Sequence, residues 1–222
     1  MSCFNRGGCD ISAMTPLDRL IKARRSIRKY KQTPPPEEWL QKMIHAAMMA
    51  PSPSNRQPVR FIRLRSTEVK ACLHQTMLCG RERLLHAVTC SCGSKRLKNW
   101  INAYYRFSAF MFDAPALFVV GTSAGSPSLA ERLPGAGSRG RDGRRRDHDI
   151  AVGLALMGYL LKGEELGLGS CILTAPLVFI EEPEKIFPIE KIEIKCFITT
   201  GYPDEYPASI RRKEFAEIYR EV

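Results

Sequence analysis

The chain has no long apolar run. Its longest candidate, Ile150 to Leu161, is about 12 residues, well short of the roughly 20 that a helix needs to cross a bilayer, so it reads as a buried helix. Met1-Ser2-Cys3-Phe4-Asn5-Arg6 lacks the apolar stretch of a secretory signal. A cytoplasmic protein with no membrane partner is therefore expected. The cysteines Cys3, Cys9, Cys72, Cys79, Cys90, Cys92, Cys171 and Cys196 include no C-x-x-C pair, and only Cys90 and Cys92 lie close together. Zinc sites usually take two tight pairs, so no metal is expected, and without an export signal the thiols are read as reduced. No glycine fingerprint follows the first strand-like segment, which removes support for a dinucleotide-binding Rossmann domain. A G-x-x-x-x-G-K-[ST] loop, a G-x-S-x-G elbow and internal repeats are also missing.

What is present is enough for a packed domain. With 44% hydrophobic residues in 222, a core can be buried and wholesale disorder is excluded; we read 1–222 as a single domain. The net charge of +11 raises the question of a polyanionic partner. Part of it falls in one segment, where Arg132, Arg139, Arg141, Arg144, Arg145 and Arg146 alternate with Gly135, Gly137, Gly140 and Gly143. Single-strand nucleic-acid readers interleave basic and aromatic residues, and no aromatic occurs here. The segment around 122–147 is read as a mobile, solvated loop, and no nucleic acid is expected. A basic nucleic-acid-binding protein is kept as the alternative of another class, identified by salt-dependent binding.

Local patterns supply the elements. Thr15-Pro16-Leu17-Asp18 is a helix start, with Leu17, Leu20 and Ile21 on one face and an end near Arg25. Glu37 and Glu38 open a second helix striped by Leu40, Met43, Ile44 and Ala47. Strands are expected at Val59 to Leu64, Pro115 to Gly121, Leu168 to Leu173 and Ile192 to Thr199. Helices are expected from about Thr67 to Met77, from Lys95 to Phe112 and from Asp149 to Leu166. The last is apolar nearly all round, so it must be covered by its own domain or a second subunit. Strands interspersed with helices, without a regular beta-alpha repeat, point to an α+β layer.

Three polar clusters stand out. Arg24-Arg25-Ser26-Ile27-Arg28 offers three guanidiniums and a hydroxyl, which can wrap a phosphate; an exposed basic helix end gives the same pattern. Pro51-Ser52-Pro53-Ser54-Asn55-Arg56-Gln57-Pro58 mixes hydroxyls and amides on a proline-stiffened loop, a lining suited to a planar heteroaromatic ligand or merely a polar connection. Arg211-Arg212-Lys213 could close over the same phosphate or keep a surface tail soluble.

In this order the first two clusters closely resemble the N-terminal signature of the nitroreductase-like flavoproteins. Leu160 to Leu173, with Glu165-Leu166-Gly167-Leu168-Gly169-Ser170-Cys171, resembles the helix and strand that carry that family's isoalloxazine contact. Thr200-Gly201-Tyr202-Pro203 and the basic tail resemble its C-terminal end. The resemblance spans roughly 15–220, with little match over 66–100 and 121–146. It implies a nitroreductase-like α+β fold, a central mainly antiparallel sheet flanked by helices, in an intertwined homodimer. It further implies that Arg24, Arg25, Ser26 and Arg28, joined by Arg212 and Lys213, hold the phosphate and ribityl chain of FMN. Pro51, Ser52, Pro53, Asn55 and Gln57 would line the ring from the other subunit. Leu173, Thr174 and Ala175 would approach its reactive edge, with Thr174 and Ala175 where other members have Glu-Gly. Val59 stands where the family often has an aromatic. The activity implied is ping-pong reduction of a nitroaromatic, quinone or similar small acceptor by NADH or NADPH, with no catalytic side chain nominated. An FMN-dependent dehydrogenase or dehalogenase of a metabolite is the alternative within the family.

Overall fold

A computed structural model describes residues 14–90, 94–123, 137–187 and 191–222, without the side chains of 137–141. Helix α1 (Pro16–Ala23) starts at Thr15, whose hydroxyl accepts from the Asp18 N–H while the Asp18 carboxylate accepts from the Thr15 N–H. This reciprocal cap satisfies two amides that the helix start leaves unpaired. Helix α2 (Glu37–Met48) buries Leu40, Met43 and Ala47, the stripe read from its spacing. Strand β1 (Val59–Arg63), helices α3 (Thr67–Cys90) and α4 (Lys95–Ala109), and strand β2 (Ala116–Ser123) follow. Helix α5 (Gly137–Glu165), strands β3 (Gly169–Leu173) and β4 (Ile192–Gly201), and the short helix α6 (Phe215–Ile218) complete the chain.

Two helices are longer than their patterns suggest. Helix α3 runs through Gly80 to Cys90, because this glycine admits a neighbour: a Cβ there would lie 1.9 Å from the Phe179 carbonyl oxygen. Helix α5 begins at Gly137, so 137–147 of the expected loop is helical. Arginine is a good helix former, and its strings outweigh Gly140 and Gly143. Residues 124–136, the centre of that expected loop, lie outside the described residues.

The sheet order is β1-β2-β4-β3, with every pairing antiparallel. Successive side chains of a strand point to opposite faces, and β2 divides its residues accordingly. Ala116, Phe118 and Val120 join Leu40, Met43, Val152, Leu156 and Tyr159 in a core under α2 and α5. Leu117 and Val119 join Leu73, Met77, Phe179 and Phe197 in a second core on the α3 side. A continuous apolar strand therefore serves two hydrophobic layers. The outer face of α5 stays uncovered in one chain: Ile150, Leu154 and Met157 are 55%, 44% and 38% exposed. Leu17 and Ile21 of α1 are also exposed.

Candidate functional site

After α1 the chain becomes extended and lies along the sheet edge. Ser26 forms a parallel bridge with Ser170 of β3, and the Ile27 N–H donates to the Ser170 carbonyl at 3.2 Å. The approach is close enough that a Cβ on Gly169 would meet Ile27 Cγ1 at 2.4 Å; a glycine there admits the segment. Farther along, the Lys31 N–H donates to the Tyr202 carbonyl (2.9 Å) and Asp204 N–H to the Lys29 carbonyl (3.0 Å). Glu205 accepts from the backbone N–H groups of Arg28 (2.5 Å) and Lys29 (3.2 Å).

Extended geometry sorts the arginines by parity. Arg25, Ile27 and Lys31 line a cleft of about 440 Å³ together with Glu164, Tyr202 and Glu205. Arg24, Ser26 and Arg28 alternate with them along the segment and do not line this cleft. Arg25 turns back on α1, where its guanidinium donates to the carbonyls of Lys22, Ala23 and Arg24 at 2.6, 3.1 and 2.8 Å. That is a C-terminal cap, which satisfies carbonyls the helix leaves unpaired. Among the described residues no ion pair involves Arg24 or Arg28. Their charges remain available to a ligand, and guanidinium-hydroxyl-guanidinium is a donor set suited to a phosphate.

Beneath this segment lie two chains of buried hydroxyls. Tyr30 Oη donates to the Ile27 carbonyl at 2.5 Å and lies 2.7 Å from Thr199 Oγ1. Tyr159 Oη is 2.9 Å from Thr200 Oγ1, itself 2.9 Å from Ser170 Oγ. Burial raises both phenols well above their ordinary values, so they stay protonated. Burial likewise raises the Cys171 thiol, against the pull of Arg28 and Arg24. Cys171 is thus a small buried side chain whose surroundings favour the thiol over the thiolate.

The loop of the second cluster lies elsewhere in the chain. Pro51, Ser52 and Gln57, with Val59, Phe61, Ala151 and Ala155, line a largely apolar cavity of about 270 Å³ between α2, β1 and α5. Val59 forms part of its wall. Pro53 and Asn55 sit in a single 3-10 turn, and Ser54, Asn55 and Gln57 have φ of 53°, 50° and 48°. Non-glycine residues in this left-handed region are uncommon, and such strain clusters at ligand-binding loops. Local hydrogen bonds hold the shape: the Gln57 N–H donates to Ser52 Oγ (2.8 Å) and Gln57 Nε2 to Asn55 Oδ1 (3.0 Å).

One chain does not bring these parts together. The cavity lined by the loop and the cleft beside the arginine segment share no residue. Leu173 is buried at the end of β3, while Thr174 is exposed and Ala175 begins a 3-10 turn. Arg212 and Lys213 are exposed on the C-terminal segment, with no described hydrogen bond or ion pair. Tyr30, Thr199 and Glu205 carried no signal in the sequence, because each acts across a separation set by the fold. Among the described residues no cluster of three metal-ligating side chains occurs. Cys90 is exposed beside His86, with Sγ 3.7 Å from Nε2; Cys92 lies outside the described residues. Nor is any described helix long and apolar enough to cross a membrane.

Residues 21–202 match the model of the nitroreductase family. The chain is 28% identical over 205 residues to the "Putative NAD(P)H nitroreductase YfhC" of Bacillus subtilis, covering 91% of this chain and 92% of that protein. Among solved structures it resembles a BluB-like flavoprotein from Clostridium difficile 630, with a TM-score of 0.79 and 25% identity over 94% of this chain and all of that one. It also resembles an oxidized iodotyrosine deiodinase bound to FMN and 3-iodo-L-tyrosine. There the TM-score is 0.64 and the identity 25%, over 92% of this chain and 97% of that one.

Proposed function

The chain belongs to the nitroreductase family, and from that premise we propose that it is an FMN-dependent oxidoreductase that draws reducing equivalents from NADH or NADPH to reduce a small, electron-poor acceptor such as a nitroaromatic or quinone. One observation carries the reading: an extended segment presents Arg24, Ser26 and Arg28, two of them cations without an ion pair among the described residues, beside the β3 strand. FMN supplies two-electron hydride exchange at its ring; the protein's part is binding, orientation and electrostatics.

In this reading Arg24, Ser26 and Arg28 hold the phosphate, and Arg212 and Lys213 reach it from the tail. Arg25 keeps the cap on α1 and supports the segment from behind. Leu173, Thr174 and Ala175 border the reactive edge, where a backbone N–H can donate to the ring. Pro51, Ser52, Pro53, Asn55 and Gln57 line the ring of a second copy. The separation of that loop from the arginine segment within one chain supports a site shared between two subunits. The uncovered apolar face of α5 supports the same homodimer, because contiguous exposed apolar residues mark interaction surfaces.

Likeness to the deiodinase supports a second reading, a flavin-dependent dehalogenase or dehydrogenase of a metabolite. An absorbance spectrum of the purified protein, before and after anaerobic NADH or NADPH, separates the cases. Flavin bands that bleach with either nucleotide are expected. Flavin that stays oxidised favours the second reading, and protein that takes up no FMN overturns both.

A further inference from the structure

Among the described residues only one β-bridge, Ser26 to Ser170, joins the arginine segment to β3. The remaining backbone contacts of the segment run to the chain after β4, at Tyr202, Asp204 and Glu205. A single bridge constrains register weakly, since neighbouring pairings differ little in hydrogen bonding. An antiparallel bridge of Tyr30 to Pro203 ties the end of the segment to the chain after β4, and the restraint nearest the bridged Ser26 on its C-terminal side is a side chain. Tyr30 spends its one proton on the Ile27 carbonyl, next to the bridged Ser26. Thr199 must then supply the proton for the 2.7 Å contact between the two hydroxyls. Thr199 sits on β4 opposite Cys171 of β3, 3.4 Å from the Cys171 carbonyl oxygen. With its one proton on Tyr30, Thr199 only approaches the Cys171 carbonyl, so the Tyr30 hydroxyl joins the arginine segment to β4 at the point where β4 pairs with β3, and there Thr199 is fully buried and Tyr30 nearly so.

We propose that Tyr30 is a positioning residue for the cofactor: its hydroxyl fixes the register of the Arg24–Arg28 segment against β3, and so the distance between the phosphate-holding side chains and the strand that borders the ring. The inference rests on the phosphate role given above to Arg24, Ser26 and Arg28. A phosphate and a ring belong to one ligand of fixed reach, so a slip of the segment weakens grip on the phosphate while the ring contacts stay in place. The Tyr30 ring packs with Ala114 and Ile27, so phenylalanine preserves the packing and removes only the hydroxyl.

The test compares affinity for FMN with affinity for riboflavin, which lacks the phosphate, by flavin fluorescence quenching on apoprotein reconstituted from the full chain. Because apparent affinity falls with the fraction of protein in the binding-competent register, Tyr30→Phe should weaken FMN binding about tenfold and leave riboflavin within about twofold. Thr199→Val removes the same hydroxyl contact from the other side and should show the same selective loss, which keeps the test decisive if Tyr30→Phe folds poorly. Equal loss for the two flavins, or no loss for either, overturns the positioning role. A wild-type protein that does not prefer FMN over riboflavin overturns the phosphate reading itself, and the role of Tyr30 with it.

Discussion

His148 illustrates how a single buried side chain couples the fold to pH. It is 5% exposed, and among the described residues its Nδ1 has no hydrogen-bond partner. Burial lowers its pKa below the ordinary 6.5, with Lys195 and Arg144 acting the same way and Glu193 and Asp147 opposing. The sign follows from linkage: the unfolded chain binds a proton at His148 more readily than the folded one. Its neutral form supports the fold above pH 6.5, and that support is lost as pH falls from 6.5 through the lower folded value. Thermal melts from pH 7.5 to 5 should thus show Tm falling more steeply for the wild type than for His148→Gln. Parallel slopes would show that His148 does not titrate with folding. The arginine cluster teaches a related lesson. Composition presents three equivalent guanidiniums, whereas the structure turns Arg25 onto the helix end and keeps Arg24 and Arg28 out of the cleft that Arg25 lines.

Helices α3 and α5 show when a glycine is a defect and when it is a fit. In an exposed helix interior, glycine costs up to about 1 kcal/mol relative to alanine. A Cβ on Gly143 would meet nothing within 4 Å, whereas a Cβ on Gly80 would strike the Phe179 backbone. Gly143→Ala should accordingly raise stability by up to about 1 kcal/mol, and Gly80→Ala should lower it by about 1–3 kcal/mol through overpacking. Urea denaturation of both variants checks the pair; a stabilised Gly80→Ala would mean that α3 does not meet Phe179 as described. The same contrast explains which boundaries were legible. Helix α2 and the cap at Thr15 were readable because spacing and capping are local, and the strand positions were readable because β-rich apolar runs are. The extension of α3 was not, because the partner that requires Gly80 is about 100 residues away in sequence.

For the whole molecule, the question is whether one chain contains a complete site. The loop residues Ser52 and Gln57 and Arg25 of the arginine segment line different hollows, and α5 exposes Ile150, Leu154 and Met157. If two copies meet through that face and share the site, Leu154→Glu should yield a monomer by sedimentation velocity and lose bound FMN in the same step, because charge burial opposes the contact. A monomer that keeps its FMN would show that each chain binds alone. A variant that stays dimeric would place the interface elsewhere.

The sequence by itself determined the α+β class, the order of the four strands and of the helices between them, and residue types whose chemistry suits a phosphate and a flat ring; the short helix Phe215–Ile218 was not among its signals. Those features depend on local spacing and on side-chain chemistry, which the order of residues carries directly. Only the tertiary structure decided that Arg25 caps a helix while Arg24 and Arg28 form no ion pair among the described residues. Tertiary structure also decided that Ser54, Asn55 and Gln57 are held in left-handed conformations, and that Tyr30, Thr199 and Glu205 secure the arginine segment. Parity, strain and contacts between residues as far as 177 apart arise when the sheet edge and the chain after β4 close around that segment.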